Sequence, residues 1–420
     1  MILRARIVVP VSMPLIENGA VVISGGRITA VAPWAEVAGK FTGPVCDLGE
    51  MILLPGLINA HCHLDYTDLA GEIGPTSSFI DWIKSITALK TGLGHAEFKA
   101  SWLRGAQMLL QTGTTTVADI ESIPELLPEV WQATPLRVFS FLEMTGIKNR
   151  REPEQILNEA LVKIQSLSSA RNAAGLSPHA PYSTQPELLR MSALRARQHS
   201  LRLTTHVAES AEEFEMFYNA RGAMFDFLKL NGRATNDCGG ISPVSHLARA
   251  GLLGENLVAV HANYLHGQDA VQLAQTGTHV VHCPRSHAYF RHRPFPFDEL
   301  DAAGANICLG TDSLASVLKP RGQEIRLDLF AEMRTFAQAN PGVPIDAILR
   351  MTTMNGALAL GMKGDVGELV AGARADIIAV PFAENITDAH QALIAYDGDV
   401  AASMIDGQWA LRPQSVAADE

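Results

Sequence analysis

The stretch Leu54-Pro55-Gly56-Leu57-Ile58-Asn59-Ala60-His61-Cys62-His63-Leu64-Asp65 decides how the rest of the chain is read. Residues 51–58 form a hydrophobic run with the composition of a buried strand, and the run leads into two histidines at i and i+2. Side chains on a strand alternate between faces, so residues two apart project from the same side. His61 and His63 are therefore expected to offer two imidazole nitrogens to one metal ion, while Cys62 between them points away and packs. Alone, a His-x-His pair is as readily two satisfied core histidines. The metal reading depends on what else the chain delivers to the same place.

The chain has 420 residues, enough for a large core. Its 47% hydrophobic and 18% charged content is that of a globular protein. A net charge of −11 supplies no basic excess to neutralise phosphates, so nucleic acid is not an expected partner. No apolar run approaches the roughly 18 residues of a spanning helix, and Met1-Ile2-Leu3-Arg4-Ala5-Arg6 does not open a signal-peptide core, so no membrane partner is expected. Cys46, Cys62, Cys238, Cys283 and Cys308 are odd in number, far apart and free of C-x-x-C spacing. That usage fits a cytoplasmic location better than a disulfide framework.

The two ends of the chain are written in one style and the middle in another. Residues 20–23 and 27–31 flank Ser24-Gly25-Gly26 as a hairpin would, and residues 367–369, 375–380 and 400–407 are again short strands punctuated by glycine. Both ends are expected to pair into one small β-sandwich domain, residues 1–54 with 364–420. Between them, strand patterns at 52–58, 114–118, 137–142, 174–177, 201–205, 257–260, 279–281 and 306–309 alternate with helical stretches such as 97–111, 153–167, 185–199 and 267–275. Eightfold strand–helix alternation predicts an α/β fold, a parallel (β/α)8 barrel over residues 55–363. Residues 210–253 exceed one helix and read as an insertion after strand five.

In such a barrel the active site lies at the C-terminal ends of the strands. Those ends carry His61 and His63, His179, His206 and Glu209, His261, the run His282-Cys283-Pro284-Arg285-Ser286-His287, and Asp312. Convergence of so many ligand-type and titratable residues is what a metal-dependent active site requires.

This ordered set resembles the amidohydrolase superfamily, in the aminohydrolase branch of cytosine, guanine and adenosine-derivative deaminases and triazine chlorohydrolases. The resemblance spans nearly the whole chain and rests on Pro55 to His63, His206-x-x-Glu209, Val260-His261, Gly310-Thr311-Asp312-Ser313 and the closing 367–378 segment. It implies that His61, His63, His206 and Asp312 hold one divalent metal ion, Zn2+ with Fe2+ as the alternative. Three imidazoles and a carboxylate suit a borderline cation and leave a position for water, which zinc can acidify to a pKa of about 7. By the same resemblance Asp312 accepts that water's proton, Glu209 shuttles protons to the substrate, and His261 polarises the attacked centre. Binuclear relatives carry a bridging lysine at the end of strand four; here Ser177-Pro178-His179 stands there, which favours a single metal.

For substrate, the resemblance is less complete. Phe79-Ile80-Asp81-Trp82 resembles the Phe-Glu-x-Trp element of adenosine-derivative deaminases, whose Glu meets ribose hydroxyls, but Ile80 stands in that position. Trp82, Glu143, His179 and Arg285 are the expected substrate-binding residues, with Arg150 and Arg151 on the same rim. Arg285 follows strand seven directly and is expected to point into the barrel mouth, where it would favour a carboxylated adenosine derivative such as aminodeoxyfutalosine or S-adenosylhomocysteine. A methylthioadenosine-type substrate or a related base belongs to the same expectation. The leading reading is thus a hydrolytic deaminase of an amino-substituted N-heterocycle, a small-molecule enzyme compatible with a homodimer. Two alternatives stay open: hydrolysis of a chloro, guanidino or amide group at the same metal, and an inactive binding protein on the same fold.

Overall fold

The computed structural model describes residues 1–147 and 151–413. Eight parallel strands follow one another in order around a barrel: Leu57–Cys62, Thr114–Glu121, Arg137–Met144, Ala173–Pro178, Leu203–Val207, Leu257–His261, His279–His282 and Ile307–Leu309, hereafter strands one to eight. Closure between strands eight and one runs through the His61 carbonyl, which accepts from the backbone N–H groups of Thr311 (3.0 Å) and Asp312 (3.1 Å). Gly310 makes that seam possible, because a Cβ there would stand 2.8 Å from the His61 oxygen. The first and last metal-ligand candidates are therefore fastened to each other by backbone.

The helices lie where the apolar periodicity places them: His95–Gln111, Pro153–Ser166, Pro186–Gln198 and Asp269–Gln275. The insertion after strand five consists of helices Ala211–Asn219, Ala223–Leu230 and Pro243–Arg249. Strand two runs further than residues 114–118, through Asp119 and Glu121, both fully buried. Asp119 tolerates burial because it accepts from Leu64 N (3.0 Å) and Trp102 Nε1 (2.9 Å).

The terminal strands form a separate sheet with both ends of the chain in it. Its spine pairs Met51–Pro55 with Ile2–Val8 in parallel and with Ile377–Pro381 in antiparallel, for example Leu54 opposite Ile378. Ile16–Ser24 and Arg27–Pro33 form the expected hairpin beside Ile2–Val8. Residues 367–369, expected as a strand, are not one; Leu369 is buried and donates its N–H to the Pro10 carbonyl.

The opening hydrophobic run is two strands, where the sequence suggests one. Met51–Pro55 belongs to the terminal sheet, Leu57–Cys62 to the barrel, and Gly56 is the crossing point. A Cβ at Gly56 would fall 2.1 Å from Thr115 Oγ1, so only glycine lets the chain pass this close to strand two. Arg137, buried at the start of strand three, ties the two sheets by hydrogen bonds to Asp376 (3.1 Å) and Asp406 (2.8 Å). Among the described residues, no helix is long and apolar enough to cross a membrane.

Candidate active site

Strand one delivers His61 and, one residue past its end, His63; strand five delivers His206; the turn after strand eight delivers Asp312. Their ligand atoms converge. His206 Nε2 lies 3.3 Å from His61 Nε2 and 3.4 Å from His63 Nε2, and Asp312 Oδ1 lies 3.6 Å and 3.7 Å from the same two nitrogens. Four donors about 2.1 Å from a tetrahedral ion stand about 3.4 Å from one another, so the spacing is that of a coordination shell. His206 Nδ1 must donate its proton to the His179 carbonyl (2.9 Å), which leaves Nε2 as a lone pair facing the cluster. Facing lone pairs at such distances repel unless a proton or a cation stands between them. The donor set fits a divalent cation.

Electrostatics agree with neutral imidazoles. Burial, reinforced by His179 and His61, pushes His206 down to about 3, and burial with His61 holds His63 well below the usual range. Asp312 moves the other way. Burial alone would raise its carboxyl, but the neighbouring imidazoles of His61, His261 and His63 hold it well below the carboxylate range. Its second oxygen is fixed by Ser286 Oγ (2.7 Å) and Ser316 Oγ (3.2 Å).

A second trio, Glu209, His261 and Asp312, brings its ligand-type atoms within 4.8 Å of one another beside the first. His261 Nε2 lies 3.5 Å from Glu209 Oε1. Burial, then the nearby charges of Asp312, Glu213 and Glu212, pushes the Glu209 carboxyl well above its ordinary value, which favours its protonated form. Glu209 is seated by its own backbone: its N–H donates to Glu213 Oε2 (2.8 Å), and its carbonyl accepts from Asn263 Nδ2 (3.0 Å). Ala208, His261, Ala262 and Asp312 all have positive φ (49° to 75°), the left-handed region that non-glycine residues avoid. Backbone strain thus gathers at the barrel mouth where these side chains are presented.

The trios open into a cleft of about 200 Å³. Trp82, Glu143 and His179, expected to bind substrate, line it. Trp82 Nε1 bonds the Ala315 carbonyl (3.4 Å), and His179 Nδ1 meets Ser183 Oγ (2.5 Å). Arg285 does not line the cleft, and its expected substrate role is corrected. Its Nε donates to Glu332 Oε1 (2.5 Å), its N–H to the other oxygen (2.9 Å) and Nη2 to the Arg326 carbonyl (2.9 Å). Glu332 is fully buried in the helix Leu329–Ala339, and the guanidinium is committed to pairing with it and does not line the cleft. Arg151 is ion-paired with Glu159 and lines a neighbouring groove, whereas Arg150 lies outside the described residues. Lys90 and Ser286 were not singled out by sequence. Yet Phe79, Trp82, Ile83, Ile86 and Lys90 all line the cleft along one face of the helix Phe79–Lys90, and that i, i+3, i+4, i+7, i+11 spacing was legible.

Residues 52–410 match the amidohydrolase family. The chain belongs to the amidohydrolase family. This amidohydrolase is 31% identical over 387 residues to a 5-methylthioadenosine/S-adenosylhomocysteine deaminase of Syntrophobacter fumaroxidans, covering 87% of this chain and 80% of the relative. It is 32% identical to a 5'-deoxyadenosine deaminase of Methanoregula boonei, covering 80% and 72%. Among solved structures, its fold superposes with a TM-score of 0.85 on a zinc-bound adenosine deaminase from Xanthomonas campestris, at 24% identity over 100% of this chain and 94% of the other. An aminofutalosine deaminase of Helicobacter pylori gives the same score at 21% identity, covering 98% and 100%.

Proposed function

We propose that this amidohydrolase is a metal-dependent hydrolytic deaminase that replaces the exocyclic amine of an adenosine derivative by oxygen and releases ammonia. The observation that carries this reading is the juxtaposition of a three-imidazole, one-carboxylate cluster with the buried Glu209 carboxyl in one cleft. The curated relatives named as deaminases of adenosine derivatives support the same substrate class.

In this reading His61, His63, His206 and Asp312 hold one divalent ion per chain, Zn2+ with Fe2+ as the alternative. The ion, when bound, lowers the pKa of water toward about 7 and so makes a nucleophile available at neutral pH. Asp312 takes the proton of the attacking water, its carboxylate held in place by Ser286 and Ser316 on Oδ2. Glu209 gives its proton to the ring nitrogen next to the attacked carbon, is reprotonated by the water's proton held on Asp312, passes that proton to the amine as the carbon–nitrogen bond breaks, and recovers its own from the hydroxyl left on the carbon. His261, 3.5 Å from Glu209, holds the oxygen on the attacked carbon. Trp82 and Phe79 offer the aromatic wall on which a purine stacks. The domain division at residues 54/55 and 363/364 belongs to the same proposal and is supported by the crossing of the chain at Gly56.

The test is ammonia release by the purified enzyme from 5'-methylthioadenosine, 5'-deoxyadenosine and S-adenosylhomocysteine, set against free aminopurines, aminopyrimidines and chlorotriazines. Turnover confined to the nucleosides supports the reading. Chloride release from triazines without ammonia from nucleosides would replace it with the alternative hydrolysis.

A further inference from the structure

We propose that Lys90 and Glu143 act as a pair of opposite charge that reads a vicinal diol on the substrate. This rests on the adenosine-derivative reading above and narrows it to neutral ribonucleosides with both sugar hydroxyls intact.

Lys90 ends the cleft-facing stripe of the helix Phe79–Lys90, otherwise apolar at Phe79, Trp82, Ile83 and Ile86. Among the described residues it is the one lysine or arginine lining the cleft. Its ammonium meets the Tyr66 hydroxyl and lies 4.6 Å from the Tyr66 ring centroid, and no described carboxylate lies within ion-pair distance of it. The Tyr66 ring in turn stacks on His63, with centroids 5.2 Å apart and planes at 7°, so Lys90 stands one ring away from the metal cluster.

Glu143, at the end of strand three, lines the same cleft with its side chain only 13% exposed. His179 Nε2 lies 3.7 Å from it, beyond hydrogen-bond range, and among the described residues its carboxylate accepts no hydrogen bond. Such an acceptor is half-buried and open to a donor arriving in the cleft.

The two groups share one cleft without being joined. An ammonium only donates and a carboxylate only accepts, whereas a hydroxyl does both. A vicinal diol can donate to Glu143 and accept from Lys90, satisfying both at once. An anionic tail would meet the Glu143 charge, and with Arg285 committed to Glu332 no arginine among the described residues compensates it. The competing explanation for Lys90 is purely structural: it stands near the buried Asp65, which is hydrogen-bonded to Ser122.

The experiment measures kcat/KM for ammonia release from 5'-methylthioadenosine and from its 2',3'-dideoxy counterpart. The wild-type protein, Glu143→Gln, Lys90→Met and Lys90→Arg are compared. The wild type should prefer the diol by roughly 10–100-fold, the range expected of one or two charge-assisted hydrogen bonds. Glu143→Gln and Lys90→Met should collapse that ratio, mainly through KM, and Lys90→Arg, which keeps a cationic donor, should retain most of it. Equal losses on both substrates would make the pair structural and overturn the proposal. So would an unchanged ratio in the variants. No ammonia from any adenosine derivative would overturn this inference and the functional reading together, whereas turnover with an unmoved ratio overturns the inference alone.

Discussion

The floor of the cleft and its outer rim are built by different rules. On the floor, His61, His63, His206 and Asp312 stand at or just beyond strand ends, and backbone hydrogen bonds of the barrel seam fix their spacing. On the rim, Trp82 and Lys90 come from a helix, Glu143 from a strand end, and the guanidinium of Arg285 is committed to a buried partner. Floor geometry follows from strand register, which permits few alternatives. Rim geometry follows from how loops and helices lie over the barrel, where one buried acid can redirect a side chain.

The largest effect should come from breaking the floor. His206→Ala removes the ligand shared by both short nitrogen contacts. Elemental analysis should fall from about one metal equivalent, the occupancy expected of a site with one open position, to a small fraction of it. Turnover should fall below detection while circular dichroism keeps the barrel signature. Retained metal at wild-type stoichiometry would show that the cluster is not the site.

Next in size is Glu209→Gln, which keeps shape and hydrogen bonding but cannot deliver the acid proton. Metal content and thermal midpoint should stay near wild type, while kcat drops by roughly 10²–10⁴-fold, the range typical of positioned proton transfer. Near-normal kcat would remove Glu209 from the chemistry and leave it as part of the floor's packing.

The smallest catalytic effect, and the sharpest contrast, belongs to Arg285→Met. It leaves Glu332 buried without its cation, which should cost about 3–5 kcal/mol in denaturant unfolding. The ratio of activities on substrates with and without an acidic group should not change. A specificity shift without loss of stability would return Arg285 to the rim of the site.

Legibility in the sequence divides along the same line. The barrel was readable because strand–helix alternation and strand-end histidines are local patterns, and His61-x-His63 carries its own geometry through the two-residue period. The Gly56 crossing was not, since an unbroken hydrophobic run gives no sign that it serves two sheets; only the approach of Thr115, far along the chain, reveals it. Strand two was cut short at Asp119 because a buried acid looks like a strand end until its donors, Leu64 and Trp102, are known. Arg285 was misplaced for the same reason. Its partner Glu332 lies 47 residues away, in a helix whose contacts no local pattern announces.

The placement of Met51–Pro55 also bears on how the protein is made. That strand emerges before the barrel, joins Ile2–Val8 at one edge, and must wait for Ile377–Pro381, beyond the barrel in the chain, to cover the other. While the barrel is synthesised the nascent chain therefore carries an open, hydrophobic strand edge, a template for pairing with other chains. The order of translation and the order of assembly differ, and a strand that emerges after the barrel completes the platform from which the first barrel strand departs.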